Sequence, residues 1–501
     1  MLKICKHLFN QWNNNEVRYC HWKSNEHLME GLDGGTDLDV YVVPSDKEKA
    51  ETILKQCNYI ECLTQKGHRY PNVFEWMGFD PSTGKLVHVH LHYQIITGTK
   101  FCKEYVFPID ELIITTRVLD NDTKVFVTDP NLEIIILYCR IALKAINKHN
   151  ILIGQSDFRE ITYLKERIKN EIVHEFCEKL IGKKGEDLYA LIMKEILSCE
   201  DWNNIYLIAE GWLKPYRKYS KLRVFFRNRY YLLRKRIIRV AENRFHYHAI
   251  DQKTFPQSNL SICFIGQDGS GKSTVTIELC KWLNWKIEAM RFYFGSGEHY
   301  TSTTNNLIKR LSRIKHGSAQ QSQAPPKKRV SEEPKKQKKN LKNFIPAVIS
   351  AYKKLEVARN AYKEIRRAES YKKRGGIPFF DRFPQLQFEG IYDGPKIADS
   401  YKKNGLDYAI VKRMAKKECR YLKRIQKYQP KLIFKLILSP EESIRRKPFE
   451  NFEVVSRKHE ITKKLEFPNS IVHTVDATQD YNEELLFIKN QIWKELISNN
   501  A

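Results

Sequence analysis

Hydrophobic and polar residues alternate in different ways along the chain, and the changes divide it into regions. Residues 1 to about 125 contain short runs such as "DLDVYVV", "LVHVHLHYQII" and "TKVFVTD", separated by helical stretches. Alternation of this kind is typical of half-buried strands, so we expect a small α/β domain. From about 126 to 215 apolar residues recur at helical spacing, which predicts a helical subdomain packed on the first.

The last region, from about 256 to 501, has five nearly continuous apolar runs separated by helical patterns. These runs are "LSICFIG", "AMRFYFG", "IPFFDRF", "KLIFKLIL" and "IVHTVDA". Continuous apolar strands joined by helices predict a five-stranded parallel sheet covered by helices on both faces. A basic, proline-containing segment at about 303–343 is too polar to bury a face, so we expect a disordered insertion there.

Composition limits the possible binding partners and the expected cellular compartment of the protein. Among 501 residues, Lys and Arg outnumber Asp and Glu by 86 to 59, so the surface attracts polyanions. The 11 cysteines form no C-x-x-C pair, and no signal segment opens the chain. We expect a reduced cytoplasmic protein, with peripheral attachment at the inner membrane surface left open. The oligomeric state also stays open, with a dimer as one option.

A glycine-rich motif gives the strongest local signal. The segment "GQDGSGKS" fits G-x-x-x-x-G-K-[ST], directly after an apolar strand and before an amphipathic helix. Its backbone N–H groups, a lysine and a hydroxyl suit the phosphates of ATP and a Mg²⁺ ion. The predicted ATP-binding residues are Gly266, Gln267, Asp268, Gly269, Ser270, Gly271, Lys272, Ser273 and Thr274. Lys272 supplies charge to the outer phosphates, and Ser273 is a Mg²⁺ ligand.

This loop resembles that of the thymidylate kinase family of nucleoside monophosphate kinases, which carries an acidic residue where Asp268 stands. Further matches follow in order over roughly the last 240 residues. They are a long basic helix, a strand ending in Asp381-Arg382, the segment "SPEESIRRK", the basic pair Arg457-Lys458, and "VDA" before a final helix. The resemblance implies a P-loop kinase fold and ATP-dependent phosphoryl transfer.

Physical roles follow for the matched residues. Asp381, at a strand end beside the loop, suits Mg²⁺, and Arg382 suits the acceptor phosphate. Arg445, Arg446 and Lys447 suit a lid that neutralises the transferring phosphoryl group, a role that the resemblance also implies for the lid. The alternatives are a surface ion pair for Asp381-Arg382 and a solvated helix face for the lid residues. Arg291, at the end of the second strand, is a further candidate for the acceptor site.

The segment "FPQLQFEGIYDGP" departs from the family. Thymidylate kinases have there a serine-containing helix that reads the thymine edge, so base specificity does not carry over to this chain. Asp393-Gly394-Pro395 within it is either part of the site or only a turn. The acceptor is then a nucleoside monophosphate or another small phosphorylated molecule.

A second group of candidates lies near the N-terminus. Asp37 and Asp39 alternate with apolar residues, so both carboxylates lie on one strand face and suit a shared divalent metal. This Asp-x-Asp pattern resembles the nucleotidyltransferase superfamily, with Lys23-Ser24 in the position of its Gly-Ser turn. The third carboxylate that the superfamily needs is not found on the later strand, which instead offers histidines suited to a softer metal. These are His88, His90 and His92. An active transferase, an inactive relative and a structural unit remain alternatives.

Residues 216–255 are basic and aromatic together and predict a connector helix. An apolar stripe recurs near helical spacing, with arginines around the remaining faces. The stripe consists of Leu222, Phe226, Leu233, Ile237 and Val240. Its partner is the neighbouring domain, nucleic acid or an anionic membrane surface.

Together these patterns predict an ATP- and Mg²⁺-dependent phosphotransferase joined to a nucleotidyltransferase-like domain. Two rivals remain. One is a nucleotidyltransferase whose kinase-like half senses ATP, and the other is a nucleic-acid-binding protein switched by ATP.

Overall fold

A computed structural model of the protein describes residues 1–65, 67, 69–144, 154–245, 248–294, 341–398 and 409–500. The predicted fold class is confirmed, because a mixed sheet forms in the N-terminal part and a five-stranded parallel sheet in the C-terminal part. The expected insertion at 303–343 lies outside the described residues, apart from its last three. The domain boundaries near residues 125, 215 and 255 stay predictions.

Nine strands lie in the N-terminal part. They are β1 (Tyr19–His21), β2 (Asp37–Val42), β3 (Ile60–Cys62), β4 (Val73–Phe79), β5 (Leu86–His92), β6 (Ile96–Thr97), β7 (Tyr105–Val106), β8 (Val118–Leu119) and β9 (Phe126–Val127). Seven of them form one sheet in the order β3-β4-β5-β2-β1-β9-β8, and β6 pairs with β7. Strands β2 and β5 are parallel, with Asp37 opposite His88 and Asp39 opposite His90. Opposed residues of paired strands share a face, so the predicted aspartates and histidines come together.

Ten helices accompany these strands. They are α1 (Lys3–Asn14), α2 (Leu28–Leu32), α3 (Lys47–Gln56), α4 (Asp110–Thr116), α5 (Pro130–Lys144), α6 (Gln155–Lys165), α7 (Asn170–Ile181), α8 (Gly185–Met193), α9 (Cys199–Leu213) and α10 (Lys221–Phe245). Helix α5 is buried on all sides and mainly apolar, with Glu133 and Arg140 as its buried charged residues. It shares one core with α7, α8, α9 and the β1 region around Trp22. The helical part and the sheet therefore pack as one body of apolar side chains.

The C-terminal part is a doubly wound sheet. Its strands are β10 (Ile262–Gly266), β11 (Ala289–Tyr293), β12 (Ile377–Asp381), β13 (Leu432–Ile437) and β14 (Ile471–Asp476). Its helices are α11 (Lys272–Leu283), α12 (Leu341–Lys373), α13 (Ala409–Ile425), α14 (Pro440–Arg446), α15 (Phe452–Lys464) and α16 (Tyr481–Asn500). The strand order is β11-β12-β10-β13-β14, and all pairs are parallel.

Both faces of this sheet are covered. Ile262 and Phe264 of β10 pack with α11 and α16, whereas Cys263 and Ile265 pack with α12, α13 and α15. Burial on both faces explains why the strand sequences are nearly continuous apolar runs. The loop after β10 lies at the carboxyl end of a central strand, where open parallel sheets bind ligands.

The two parts share a core. Met77 and Phe79 of β4 belong to the same buried cluster as α11 and α16, and the Phe79 ring lies 5.5 Å from that of Trp493. Leu63 and Thr254 exchange backbone hydrogen bonds of 2.7 and 3.0 Å across the junction. The shared cluster places one end of α11 against the face of the N-terminal sheet.

A search of the described residues for membrane-spanning helices finds no candidate of sufficient length and apolarity.

Candidate functional site

The phosphate loop joins β10 to α11, and its backbone geometry explains its glycines. Gly269 and Gly271 have φ angles of +86° and +81°, in the left-handed region that favours glycine. A Cβ on Gly266 would lie 2.5 Å from the carbonyl oxygen of Leu436, so the neighbouring strand also excludes a side chain there. The loop therefore turns its N–H groups toward the start of α11, where an anion is favoured.

Lys272 lies at the first position of α11 and is 6% exposed. Its ammonium donates to the carbonyl oxygen of Gln267 at 2.6 Å and to Ser270 Oγ at 3.5 Å. Burial, together with the positive charge of Arg382, lowers the pKa of Lys272 to about 7. An incoming phosphate would replace these contacts and favour the charged form.

A carboxylate and two cations stand beside the loop. Arg382 donates to Asp268 Oδ1 at 3.2 Å, and Lys458 of α15 hydrogen-bonds to Asp268 Oδ2. Burial by itself raises the pKa of Asp268, but the hydrogen bond and charge of Lys458 outweigh it and lower the pKa to about 2. Arg382 has a φ of +75°, a backbone conformation that is uncommon for arginine and is found at functional sites. Three sequence-distant charges thus meet at one end of the sheet.

Asp381 and Ser273 fit a magnesium ion. Asp381 is fully buried, and its Oδ2 accepts from Arg291 at 2.7 Å, whereas its Oδ1 has no hydrogen-bond partner among the described residues. Ser273 and Thr274 are exposed in the first turn of α11. An orphaned carboxylate oxygen and an open hydroxyl at the same sheet edge are the donors that Mg²⁺ prefers. Their role as ligands stays a prediction.

The predicted lid residues separate into two kinds. Arg446 donates to the carbonyl oxygen of Ala477 at 3.0 Å, and its other guanidinium nitrogen lies 3.5 Å from the carbonyl oxygen of Gly269. The Arg445 side chain is 78% exposed, and both arginines pair with Glu442. Lys447 caps the end of α14 and is exposed. Arg446 is therefore the lid cation that already reaches the phosphate loop.

Helix α14 is itself fastened to the loop. Buried Ser443 donates from Oγ to the carbonyl oxygen of Asp268 at 2.6 Å. The carbonyl oxygen of Ser443 would also lie 3.4 Å from a Cβ on Gly269, so the lid helix and the loop are in close contact. The sequence offered no signal for this serine beyond its place in "SPEESIRRK".

The divergent segment after Arg382 forms a compact loop around Gln385. This side chain is fully buried, donates to the carbonyl oxygens of Phe388 and Ile391 at 2.7 Å each, and accepts from the Phe388 N–H. The loop ends at Asp393, whose carboxylate pairs with Lys396 at 3.0 Å.

Tyr392 connects the same segment to α15. Its hydroxyl hydrogen-bonds to the carbonyl oxygen of Lys458 at 3.0 Å, and Thr462 donates to it at 2.6 Å. Tyr392 and Asp393 are consecutive left-handed residues with φ of +48° and +55°. Burial lowers the pKa of Arg382, and the negative charges of Asp393 and Asp268 raise it. A role of this segment in the site stays a prediction.

In the N-terminal part, the predicted carboxylates and histidines form one buried cluster. His88 Nδ1 lies 2.7 Å from Asp37 Oδ1, and His90 Nδ1 and His92 Nε2 each lie 3.3 Å from Asp39 Oδ1. The strand register of β2 and β5 brings these side chains together.

A third carboxylate is present that the sequence did not reveal. Glu75 comes from β4, where it is opposite His90, and it lies 2.7 Å from both His88 Nε2 and His90 Nε2. Burial disfavours the charged form of His90, but Glu75 and Asp39 outweigh it and raise its pKa to about 10. We call Asp37, Asp39, Glu75, His88, His90 and His92 the carboxylate–histidine cluster.

Lysines already neutralise the carboxylates of this cluster. Lys23 lies 2.9 Å from Asp39, Lys286 lies 2.6 Å from Asp37, and Lys253 lies 3.7 Å from Glu75. The last two come from the C-terminal part. Asp37 is engaged by both His88 and Lys286 in this arrangement. Its role as a metal ligand, together with that of Asp39, stays a prediction.

The turn that corresponds to the Gly-Ser turn is held by the helical part. Ser24 has a φ of +56°, and its N–H donates to Glu160 at 3.0 Å. Asn25 donates from its backbone and its side chain to Glu133, at 3.0 and 2.6 Å. Burial raises the pKa of Glu133 to about 7. These contacts fix Lys23 next to Asp39.

Further basic side chains surround the open side of Asp39. Burial and the positive charges of Lys23 and Lys144 lower the pKa of Lys103 to about 7. Arg140 is 6% exposed and lies near Glu160, with 3.5 Å between Nη1 and Oε1. The sequence did not single out these residues. They make the surroundings of Asp39 favourable to an anionic ligand.

The connector forms helix α10, and the face that packs on the protein is not its apolar stripe. Val224 and Asn228 are 7% and 8% exposed, and Asn228 donates to Thr99 Oγ1 at 3.2 Å. Arg227 donates to the carbonyl oxygen of Phe101 at 3.0 Å. The predicted apolar stripe is exposed, from 57% to 72% for Leu222, Phe226, Leu233, Ile237 and Val240. The stripe therefore faces away from the described residues of the protein.

Comparison with known proteins finds two relatives in Escherichia coli strain K12. No protein-family model matches the chain. The uncharacterized ATP-binding protein YghR is 28% identical over 245 residues, covering 47% of this chain and 89% of YghR. The uncharacterized ATP-binding protein YghS is 25% identical over 227 residues, covering 45% of this chain and 88% of YghS. The chain is therefore similar over about half its length to proteins of this kind.

A comparison with solved structures aligns a deoxyadenosine kinase from M. mycoides with bound dATP. It is 16% identical, covers 47% of this chain and 99% of that kinase, and has a TM-score of 0.27. We draw no conclusion from this alignment.

Proposed function

We propose that this protein is an ATP- and Mg²⁺-dependent phosphotransferase, similar to thymidylate kinases, that phosphorylates a small acceptor already carrying a phosphate. One observation carries the proposal. Lys272, at the start of α11, lies at one sheet edge with the Asp268–Arg382 pair on one side and Arg446 on the other. The names of the relatives YghR and YghS agree with ATP as the phosphate donor.

The donor side of the site consists of the glycine-rich loop and Lys272. Backbone N–H groups between Gly266 and Ser273 hold the phosphates of ATP, and the ammonium of Lys272 neutralises the outer ones. Ser273 and Asp381 would hold a magnesium ion, which would neutralise further charge on the phosphates. Arg291 orients Asp381 through the 2.7 Å hydrogen bond to its other oxygen.

The acceptor side consists of Arg382 and its neighbours. Arg382 is a fork suited to a phosphate group, and Asp268 and Asp393 hold its guanidinium at the sheet edge. An oxygen of the acceptor attacks the γ-phosphorus of ATP, and ADP leaves. Arg446 stabilises the negative charge that develops on the transferring group, because it reaches the phosphate loop from the lid helix.

The two rival functions find less support. The nucleotidyltransferase reading requires metal-binding carboxylates, and Asp37 is already engaged by His88 and Lys286. The switched nucleic-acid-binding reading requires a basic face, and the exposed face of α10 is apolar along its centre.

A screen with labelled ATP tests the proposal. The full-length protein is incubated with nucleoside monophosphates, sugar phosphates and other phosphorylated small molecules, and transfer of label is measured. We expect transfer to at least one acceptor, its loss in Lys272→Ala, and its retention in Lys281→Ala, which alters an exposed lysine near the other end of α11. Unchanged transfer in Lys272→Ala would falsify the assignment of this site.

A further inference from the structure

The proposed phosphotransfer does not use the carboxylate–histidine cluster. The two aspartates of this cluster have different contacts. Asp37 Oδ1 contacts both His88 and Lys286, at 2.7 and 2.6 Å. Asp39 Oδ1 faces two imidazole nitrogens and the flexible ammonium of Lys23. Asp37, His88 and His90 also lie within 4.8 Å of one another, but Asp37 and His88 are in direct hydrogen-bond contact at 2.7 Å.

We propose that Asp39, His90 and His92 form a binding site for a single divalent transition-metal ion of the Zn²⁺ type. The three ligand atoms are Asp39 Oδ1, His90 Nδ1 and His92 Nε2, and they lie within 4.8 Å of one another. Two nitrogens and one carboxylate oxygen with an open position are a zinc-binding set. The proposal is independent of phosphotransfer.

The two separations that involve Asp39 match tetrahedral coordination. Ligands about 2.05 Å from a tetrahedral zinc ion are about 3.3 Å apart. Asp39 Oδ1 lies 3.3 Å from His90 Nδ1 and 3.3 Å from His92 Nε2. These separations are long for hydrogen bonds, in contrast to the 2.7 Å contacts of His88.

Residues behind the site orient its ligands. The second nitrogen of His90 lies 2.7 Å from Glu75, the carboxylate–histidine contact that usually accompanies a metal-bound imidazole. His88 Nε2 lies 2.7 Å from the same oxygen of Glu75. His92 packs against the Trp22 ring, with 5.3 Å between the ring centres, which fixes the plane of its imidazole.

Lys23 contacts the Asp39 oxygen that would bind the ion. Its ammonium is 2.9 Å from Asp39 Oδ1, and its side chain is 23% exposed, so it has room to move outward. Displaced, it joins Lys103 and Arg140 around the open position, where an anionic ligand of the metal would lie. The site therefore differs from a two-magnesium site in ion, number and ligands.

Metal titration of the full-length protein tests this site. After metal removal, Zn²⁺ affinity is measured in competition with a chromogenic chelator. We expect one tightly bound Zn²⁺ per chain, an affinity lower by more than about 100-fold in Asp39→Asn and His92→Gln, and a change of less than about 10-fold in Asp37→Asn. Lys23→Met is expected to bind at least as tightly as the natural chain. Unchanged affinity in both Asp39→Asn and His92→Gln overturns the proposal.

A matched control comes from a second histidine–carboxylate group on the surface. His174, Glu178 and Glu186 lie close together on α7 and α8, and His174→Gln is expected to leave the affinity unchanged. Loss of binding in His174→Gln alone would assign the ion to the surface group and overturn the proposal.

Cobalt spectroscopy of the natural chain tests the same site without any variant, so it does not depend on whether the variants fold. Co²⁺ bound to the natural chain should give visible bands of a nitrogen and oxygen site without a thiolate charge-transfer band. A thiolate band, or no bound cobalt, overturns the proposal.

A different observation carries a second inference, on helix α10. Its exposed apolar stripe (Leu222, Phe226, Leu233, Ile237 and Val240) runs along the side opposite the packed residues Val224 and Asn228. The 25-residue helix carries nine lysines and arginines against one glutamate. Arginines at both borders of an apolar stripe are the pattern of helices that lie in the interface of a membrane.

We infer that α10 docks this protein on an anionic lipid surface. The apolar side chains enter the headgroup region, and Arg223, Arg234 and Arg236 meet lipid phosphates. The segment 295–340 of the same chain is a poor occupant, because it carries 11 lysines and arginines against three glutamates. Nucleic acid would use the arginines but leave Leu222, Ile237 and Val240 in water.

Vesicle sedimentation with the full-length protein tests this inference. We expect binding to vesicles of equal parts phosphatidylcholine and phosphatidylglycerol, much weaker binding to phosphatidylcholine alone, and a loss of more than about 10-fold in the double variant Phe226→Ser, Ile237→Ser. Ile196→Ser, which changes an apolar residue that is 86% exposed elsewhere, should bind as the natural chain does. The inference is overturned if the protein does not bind the anionic vesicles, or if the double variant binds them as well as the natural chain does. It is also overturned if the double variant loses self-association but keeps vesicle binding.

Discussion

Lys286 Nζ lies 2.6 Å from Asp37 Oδ1, and this ion pair joins the chain just beyond α11 to the start of strand β2. The two side chains are 22% and 26% exposed, so water weakens the pair only in part. Because α11 begins at Lys272 in the phosphate loop, one helix connects the proposed ATP site to the carboxylate–histidine cluster.

Replacing Lys286 by Met should lower the free energy of unfolding by about 1 to 3 kcal/mol, since Asp37 then loses a charged hydrogen-bond partner. Urea unfolding measures this difference, and Lys281→Met at an exposed position is the control. A double-mutant cycle with Asp37→Asn should give a coupling energy above about 0.5 kcal/mol. Additive effects would mean that the pair contributes nothing to the junction.

Replacing glycine by alanine should have opposite effects in the phosphate loop and inside a helix. Gly271 has a φ of +81°, so Gly271→Ala should strain the loop by about 1 to 2 kcal/mol and lower ATP affinity by about 10-fold or more. Gly211 lies inside α9 with nothing within 4 Å of an added Cβ, so Gly211→Ala should raise stability by about 0.5 to 1 kcal/mol. Calorimetric ATP titration and urea unfolding of both variants check the contrast. Equal ATP affinity in the two would contradict the conformational argument.

The lowered pKa of Lys272 predicts proton uptake when ATP binds. Burial and Arg382 lower its pKa to about 7, so at about pH 8 the free lysine is mostly neutral and must gain a proton to hold phosphate. At about pH 6 it is already charged, so uptake falls as pH is lowered through the pKa. Calorimetry in buffers of different protonation enthalpy measures this uptake. Lys272→Arg, whose side chain stays charged, should remove the pH dependence; equal uptake in both proteins would exclude Lys272 as its source.

The two lid arginines should differ in kinetics. Arg446→Ala is expected to lower kcat by about 100-fold or more with a small change in the KM for ATP, because its charge acts on the transferring group. Arg445→Ala should change kcat by less than about 5-fold, since that side chain is largely in water, whereas Arg446 reaches the carbonyl oxygen of Gly269. Steady-state rates with the acceptor from the screen compare the two. A larger loss of kcat in Arg445→Ala than in Arg446→Ala would assign the catalytic role in the lid to Arg445.

Gln385 should control the acceptor side of the site. Gln385→Leu leaves the buried carbonyl oxygens of Phe388 and Ile391 without a donor, so the loop that carries Asp393 should lose its shape. We expect an acceptor KM raised about 10-fold or more and an unchanged affinity for ATP. Gln387→Leu, two residues away at an exposed position, is the matched control and should change the acceptor KM by less than about 3-fold. An equal loss of ATP affinity in Gln385→Leu would instead indicate general unfolding.

Local patterns in the sequence predicted the parts of the fold that depend on neighbouring residues. The five apolar runs after residue 256 form the five parallel strands, because buried strands must be apolar on both faces. The glycine pattern placed the phosphate loop between β10 and α11 because positive φ angles at Gly269 and Gly271 require that residue type.

Sequence patterns could not predict contacts between residues that are far apart along the chain. Glu75 alternates with apolar residues of β4 as an outward-facing residue would, and only the pairing with β5 reveals that it contacts His90. Lys253 and Lys286 enter the cluster from the other part of the chain, so no local spacing marks them. Gln385 organises an irregular loop whose backbone hydrogen bonds follow no period.

Helical spacing predicted the apolar stripe of α10 but not its exposure. The packed face of this helix carries Val224 and Asn228, so its contact with the rest of the protein does not follow its most apolar side. The actual contact depends on hydrogen bonds to Thr99 and Phe101 that sequence periodicity does not describe.

The core shared by β4, α11 and α16 makes each of the two sheets depend on the other for burial. Separating them would leave Met77 and Phe79 on one fragment, and Trp493 on the other, facing water. Each fragment would then expose an apolar surface that favours aggregation. A half expressed alone would therefore need polar replacements at these positions to stay in solution.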